Sequence, residues 1–166
     1  MKYYLTIILL SAYNVFAGAE PTEAQHVETT TTNYFSALQS SVEQVRVEAI
    51  KNALPTEQEI GLIWTDAAQA ERATQVVQSW VKKFVAKNKR AHAEMKQAGK
   101  LNRVSAEDYR SVKTDVVTKV IPQSIPLYIV NLEYDKGDIR YYAAVVNGRV
   151  ILIDNLKAIC QAVDKK

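Results

Sequence analysis

Asn147-Gly148 stands between two apolar runs, residues 138–146 and 149–153. An Asn-Gly pair so placed is the strongest short-range signal for a β-hairpin, because both central residues of a type I′ turn need positive φ. Placing the pair at the turn sets Val146 opposite Arg149, Tyr142 opposite Ile153 and Tyr141 opposite Asp154. A second turn at Lys136-Gly137 would set Asp135 opposite Asp138 and Glu133 opposite Arg140. The second of those pairs is favourable and the first is not, since like charges directly opposite repel.

These two registers separate the side chains into two faces. One face collects Tyr128, Val130, Leu132, Tyr134, Ile139, Tyr141, Ala143, Val145, Val150 and Leu152, with Asp154 as its only charge. A face that apolar must be covered by helices. The other face carries Asn131, Glu133, Arg140 and Arg149 among Leu127, Ile129, Tyr142, Ala144, Val146, Ile151 and Ile153. That mixture is expected of a sheet face that is partly wet.

Upstream the period changes. Apolar residues at 34, 35, 38, 42, 45, 50, 53 and 54 mark one face of a helix that Pro55 closes. Thr56 and Glu59 form a capping box for a short helix ending near Trp64. From Asp66 to Gly99 the spacing fits one helix of about 32 residues, roughly 48 Å long at the helical rise. Its basic cluster, Lys82, Lys83, Lys87, Lys89 and Arg90, reads as a solvated helix surface. Strict alternation at Val112, Thr114, Val116, Thr118 and Val120 predicts a strand after a single helical turn. Leu156, Ile159, Cys160 and Val163 form the apolar side of a last helix, with Asp154-Asn155 at its cap. The expectation is an α+β domain over residues 33–166: N-terminal helices, one of them long, packed on a C-terminal four-stranded antiparallel meander, then a short helix.

The chain ahead of residue 33 predicts a leader and a tether. Lys2 precedes an uncharged stretch from Tyr3 to Tyr13, and small residues permit cleavage after Ala17 or Ala19. This is the build of a secretory signal peptide, too short for a membrane span, so export without stable membrane insertion is expected. Residues 20–32 are polar and threonine-rich and read as a flexible lead-in. Cys160 is the only cysteine, which excludes an intramolecular disulfide, and no Asn-x-Ser/Thr acceptor occurs. Together these favour a bacterial periplasm, or secretion, over the animal secretory route. A formal net charge of +3 is too small for a dedicated nucleic-acid binder.

Chemistry is sparse. His26 and His92 are the only histidines and no metal or nucleotide motif appears, so no metal, cofactor or catalytic set is expected. Asp154, on the apolar face opposite Tyr141, is the one carboxylate placed to have its pKa raised by desolvation, or else to cap the last helix. Trp64, Tyr128, Tyr141 and Asp154 are the candidate ligand-binding residues. Glu133, Arg140, Tyr142 and Arg149 are the candidate partner-binding residues, Tyr and Arg being favoured at interface centres. The partner is expected to be a small molecule or a protein, with a homodimer among the candidates.

The order of elements, and the closing segment AAVVNGRVILIDNL, resemble the cystatin-like and nuclear-transport-factor-like cone-shaped folds. Small exported members of that group end in an N-G-K/R hairpin followed by an aromatic and an I-D pair; here Val150 holds the aromatic position. The resemblance implies a pocket between a curved sheet and its covering helices, used for small-molecule binding and occasionally for isomerase or dehydratase chemistry. It supplies no catalytic motif that this chain matches. Read without it, the residues favour a non-catalytic binding or interaction domain, or an inhibitor of an exported enzyme.

Overall fold

A computed structural model describes residues 20–153 and 156–164, without the side chains of residues 80, 81 and 84. The leader expected at 1–19, and Asp154, lie outside the described residues. The chain is α+β. Five helices come first: α1 (Glu23–Leu38), α2 (Glu43–Ala53), α3 (Glu57–Ile63), α4 (Ala67–Ala86) and α5 (Asn88–Ala98). Strand β1 (Leu101–Asp108) is followed by two short helices, α6 (Tyr109–Val112) and α7 (Val116–Val120). Strands β2 (Leu127–Tyr134), β3 (Gly137–Val146) and β4 (Arg149–Ile153) and helix α8 (Leu156–Val163) complete the chain. The sheet is an antiparallel meander in the order β1-β2-β3-β4.

Residues 23–32, expected as a flexible lead-in, are the first part of α1. Thr22 and Gln25 make a reciprocal capping box, and Val27, Thr31, Phe35 and Leu38 are buried at helical spacing. Burial of that stripe outweighs the weak helix propensity of the threonine run. Helix α1 ends at Leu38, so the single helix expected over 34–54 is two.

The expected long helix is also two. At the junction Asn88 is buried and donates to Val85 O at 2.8 Å and Glu43 Oε1 at 3.2 Å, while its Oδ1 accepts from Arg46 Nη2 at 3.0 Å. Arg46, also buried, donates to Ser40 O at 2.7 Å. These bonds satisfy a guanidinium that burial would otherwise penalise, and they tie the α4–α5 break to α2.

The strand expected at 112–120 lies instead at Leu101–Asp108. Asp115 caps α7 through Val117 N at 3.0 Å, and Thr118 Oγ1 accepts from Asp115 N at 3.2 Å. Val117 and Ile121 are buried, and Val116 and Val120 pack beside them. Residues 116, 117, 120 and 121 fit a helical face as well as alternation fits a strand, and the local cap with the core contact decides it.

The β3–β4 hairpin has the expected register, Val146 opposite Arg149 and Tyr142 opposite Ile153, with positive φ at Asn147 and Gly148. The β2–β3 hairpin does not. Asp135-Lys136 form its turn, setting Tyr134 opposite Gly137, Glu133 opposite Asp138 and Asn131 opposite Arg140. Asp135 is held by Lys100 N and Asn102 Nδ2, each at 2.9 Å, which fixes the turn one residue earlier than expected. The slip amounts to two residues in pairing, so every side chain keeps its face.

Both faces bear helices. On the first, Val130, Leu132, Ala143, Val145, Val150 and Leu152 pack under α1, α2 and α5. On the second, Leu127, Ile129, Ala144, Val146, Ile151 and Ile153 pack under α3, α4, α7 and α8 with Trp64. The second face was expected to be mixed and partly wet, and its two kinds of residue are segregated: one end is a closed core, and the other bears no helix among the described residues.

Candidate functional site

The uncovered end of the second face is a polar grid built by strand register. In one row Arg103 of β1 lies opposite Glu133 of β2, which lies opposite Asp138 of β3. In the next, Ser105, Asn131 and Arg140 follow in the same order. Glu107 stands opposite Ile129, which lies opposite Tyr142, where the helical cover begins. Ser105, Glu107, Asn131, Glu133, Asp138, Arg140 and the backbone at Ile139 line an open groove of about 550 Å³.

The groove holds its charges loosely. Arg103 Nη1 lies 3.8 Å from Glu133 Oε1 with both side chains exposed, a pair worth little to stability. Arg140 Nε donates to Asn131 Oδ1 at 3.1 Å, leaving the rest of its guanidinium fork to the solvent side. Glu133 and Asp138 face each other across the ladder, a like-charge pairing that costs free energy unless a cation or donor is brought to it. The grid therefore offers carboxylate, amide and guanidinium groups at strand spacing, suited to reading another polar surface.

Of the residues singled out from sequence, Glu133 and Arg140 meet in this groove. Five of the others do not. Trp64 is 1% exposed, inside the core under the second face, with its indole beside the Cys160 thiol. The buried Cys160 thiol lies in the same cluster; burial, then the nearby Asp115 charge, pushes its pKa up to about 12, so it stays protonated. Tyr142 is half-buried beneath the covered end, edge-on to Tyr109 at 5.8 Å. Tyr128 and Tyr141 lie on the first face. Tyr128 donates its hydroxyl to Glu23 Oε1 at 2.7 Å, and burial followed by that carboxylate raises its pKa. Tyr141 is half-buried, edge-on to Phe35 at 5.0 Å. Asp154 lies outside the described residues.

Arg149 is committed within the chain. It donates to Asn52 O at 2.5 Å and to Leu54 O at 2.9 Å, and it forms a bidentate pair with Glu59. That guanidinium holds the Glu59 carboxyl well below its usual range, at about 2, against the opposing effect of burial. The residue fastens the α2–α3 junction to the start of β4.

Sequence reasoning missed Arg103, Ser105 and Glu107 because the first strand was placed after them. The signal was present: Arg103, Ser105 and Glu107 alternate with Val104 and Ala106, which face the helices.

One cavity lies beside β4, where helices from both faces of the sheet come together. Tyr34, Ile50, Leu54, Val77, Tyr141, Leu152 and Ile159 help line this cavity of about 20 Å³, room for about one water. A shallow cleft of about 220 Å³ opens between α1 and α2 over Val150 and Leu152, below the usual range for a ligand site. Among the described residues no cluster of His, Cys, Asp and Glu is arranged to hold a metal, and no helix is long and apolar enough to cross a membrane. No protein family, curated protein or solved structure matches the chain.

Proposed function

We propose that this chain is a small exported domain that recognises a protein partner, without catalysis, through the uncovered polar end of its second sheet face. The observation that carries the proposal is the contrast between two spaces among the described residues: about 20 Å³ in the cavity beside β4 and about 550 Å³ over Ser105, Asn131, Glu133 and Arg140. A small-molecule site is enclosed and mostly apolar, whereas this surface is broad, open and charged. Its partner must supply donors for Glu133 and Asp138 and an acceptor for Arg140.

A photo-activated cross-linking residue at Asn131, in protein returned to its own source, should give a discrete protein adduct. The same residue at Val45, exposed on α2, should not. Adding Arg140→Glu should lower the Asn131 yield at least tenfold with the melting temperature unchanged. Adducts from Val45 and none from Asn131 would place recognition elsewhere.

A further inference from the structure

We propose that β1 is a dimerisation edge and that its occupant is the β1 of a second copy of this chain, paired antiparallel about a two-fold axis at Ser105. Among the described residues β1 hydrogen-bonds to a strand on one side only. The other side is set by one contact: Ala106 N donates to Glu28 Oε1 at 3.0 Å, so its backbone turns away from β2. Backbone polarity alternates along a strand, so Val104 turns outward with Ala106, while Ser105 turns inward to its partner Asn131.

Three observations identify the occupant. First, the strand's charges are self-complementary about Ser105: a two-fold there brings Arg103 of each copy opposite Glu107 of the other. Both residues are exposed. Second, the same axis sets Val104 opposite Ala106, the two residues whose backbone groups face outward, so their N–H and C=O groups exchange in register. Third, the space beside the first half of the edge is open. A groove of about 230 Å³ runs between the flank of α1 and the start of β1, lined by Thr32, Ser36, Gln39, Asn102, Arg103 and Val104.

Glu28 guards this edge. Its carboxylate holds the Ala106 N–H that a partner strand needs, and an inward-reaching charge is a recognised way to blunt a sheet edge. Docking replaces that bond with one from Val104 of the second copy, so the dimer is reversible. Pairing would also join two polar grooves into one surface across a continuous eight-stranded sheet. The inference rests on the edge and holds whatever the groove binds.

Sedimentation velocity of the purified chain, from micromolar to millimolar concentration, tests it. The wild type should show a monomer–dimer equilibrium, and Glu28→Ala should tighten it. Arg103→Glu and Glu107→Arg should each weaken the dimer roughly tenfold by setting like charges opposite. The double variant should recover to within about threefold, because the two positions face each other. Facing residues of a non-hydrogen-bonded antiparallel pair lie about 4.5 Å apart at Cα, within disulfide reach. Ser105→Cys should therefore cross-link to itself under oxidation while buried Cys160 does not react. Monomer throughout in both wild type and Glu28→Ala would overturn the proposal. So would a dimer indifferent to the single reversals, or one that Ser105→Cys fails to trap.

Discussion

Leu132→Asp is expected to abolish cooperative folding. Leu132 has no exposed surface and lies in the cluster of Phe35, Leu38, Ile50, Met95 and Tyr134 beneath α1, α2 and α5. Aspartate there would forfeit the apolar contact and bury a carboxylate without a partner. The combined loss is about 5 kcal/mol or more, a large part of the stability of an ordinary domain. Thermal or urea unfolding followed by circular dichroism reads the result. A folded variant with a sharp transition would mean that this face of the sheet is not under the helices.

Arg149→Ala is expected to cost roughly 2 kcal/mol at neutral pH. The variant loses the bonds to Asn52 O and Leu54 O and leaves Glu59, 9% exposed, without its cation. Breaking a fully buried pair costs about 3–5 kcal/mol, and the smaller figure allows for the Arg149 side chain, which is 36% exposed. The pH dependence follows from the Glu59 carboxyl, whose folded pKa of about 2 lies below the ordinary 4.5. A depressed carboxyl pKa stabilises the fold above the ordinary value, and that contribution is lost as pH falls toward 2. The stability gap between wild type and Arg149→Ala should therefore be full at pH 6 and shrink as pH falls from about 4.5 to 2. Denaturant midpoints across that range measure it, and a gap constant with pH would contradict the ion-pair account.

How much of the fold was legible depended on whether a local signal had a rival. Asn147-Gly148 has none: only residues that tolerate positive φ serve a two-residue hairpin, so the last register followed from the dipeptide. The Thr56–Glu59 capping box was equally direct, and Thr56 N does donate to Glu59 Oε2 at 2.7 Å. Residues 112–120 had two periods at once. Asp115, its cap bond to Val117 and the core beneath α7 chose the helical one, and a core contact is not visible in a period. The threonine run in α1 was misread for the same reason, since its helix is held by Val27, Thr31 and Phe35 against the sheet.

The site was legible in part. Glu133 and Arg140 share a face under either hairpin register because the error was an even number of residues. Arg149 and Tyr142 share that face too, but α3, α7 and α8 cover their end of it. Which end of a mixed face is covered depends on where later helices return, and neither alternation nor composition encodes that. Trp64 stood at the end of a short helix in the sequence; only the fold shows that the helix brings it into the interior.

The most direct test of the central claim, a closed interior and an open polar recognition face, is native mass spectrometry of the protein purified from its own source beside the Arg140→Glu variant. The account predicts the wild type carrying a bound protein chain, lost from the variant while its monomer mass and fold persist. A small organic molecule retained in one-to-one ratio by both proteins, with no protein chain bound to either, would contradict it, because it would show a ligand site that does not depend on Arg140.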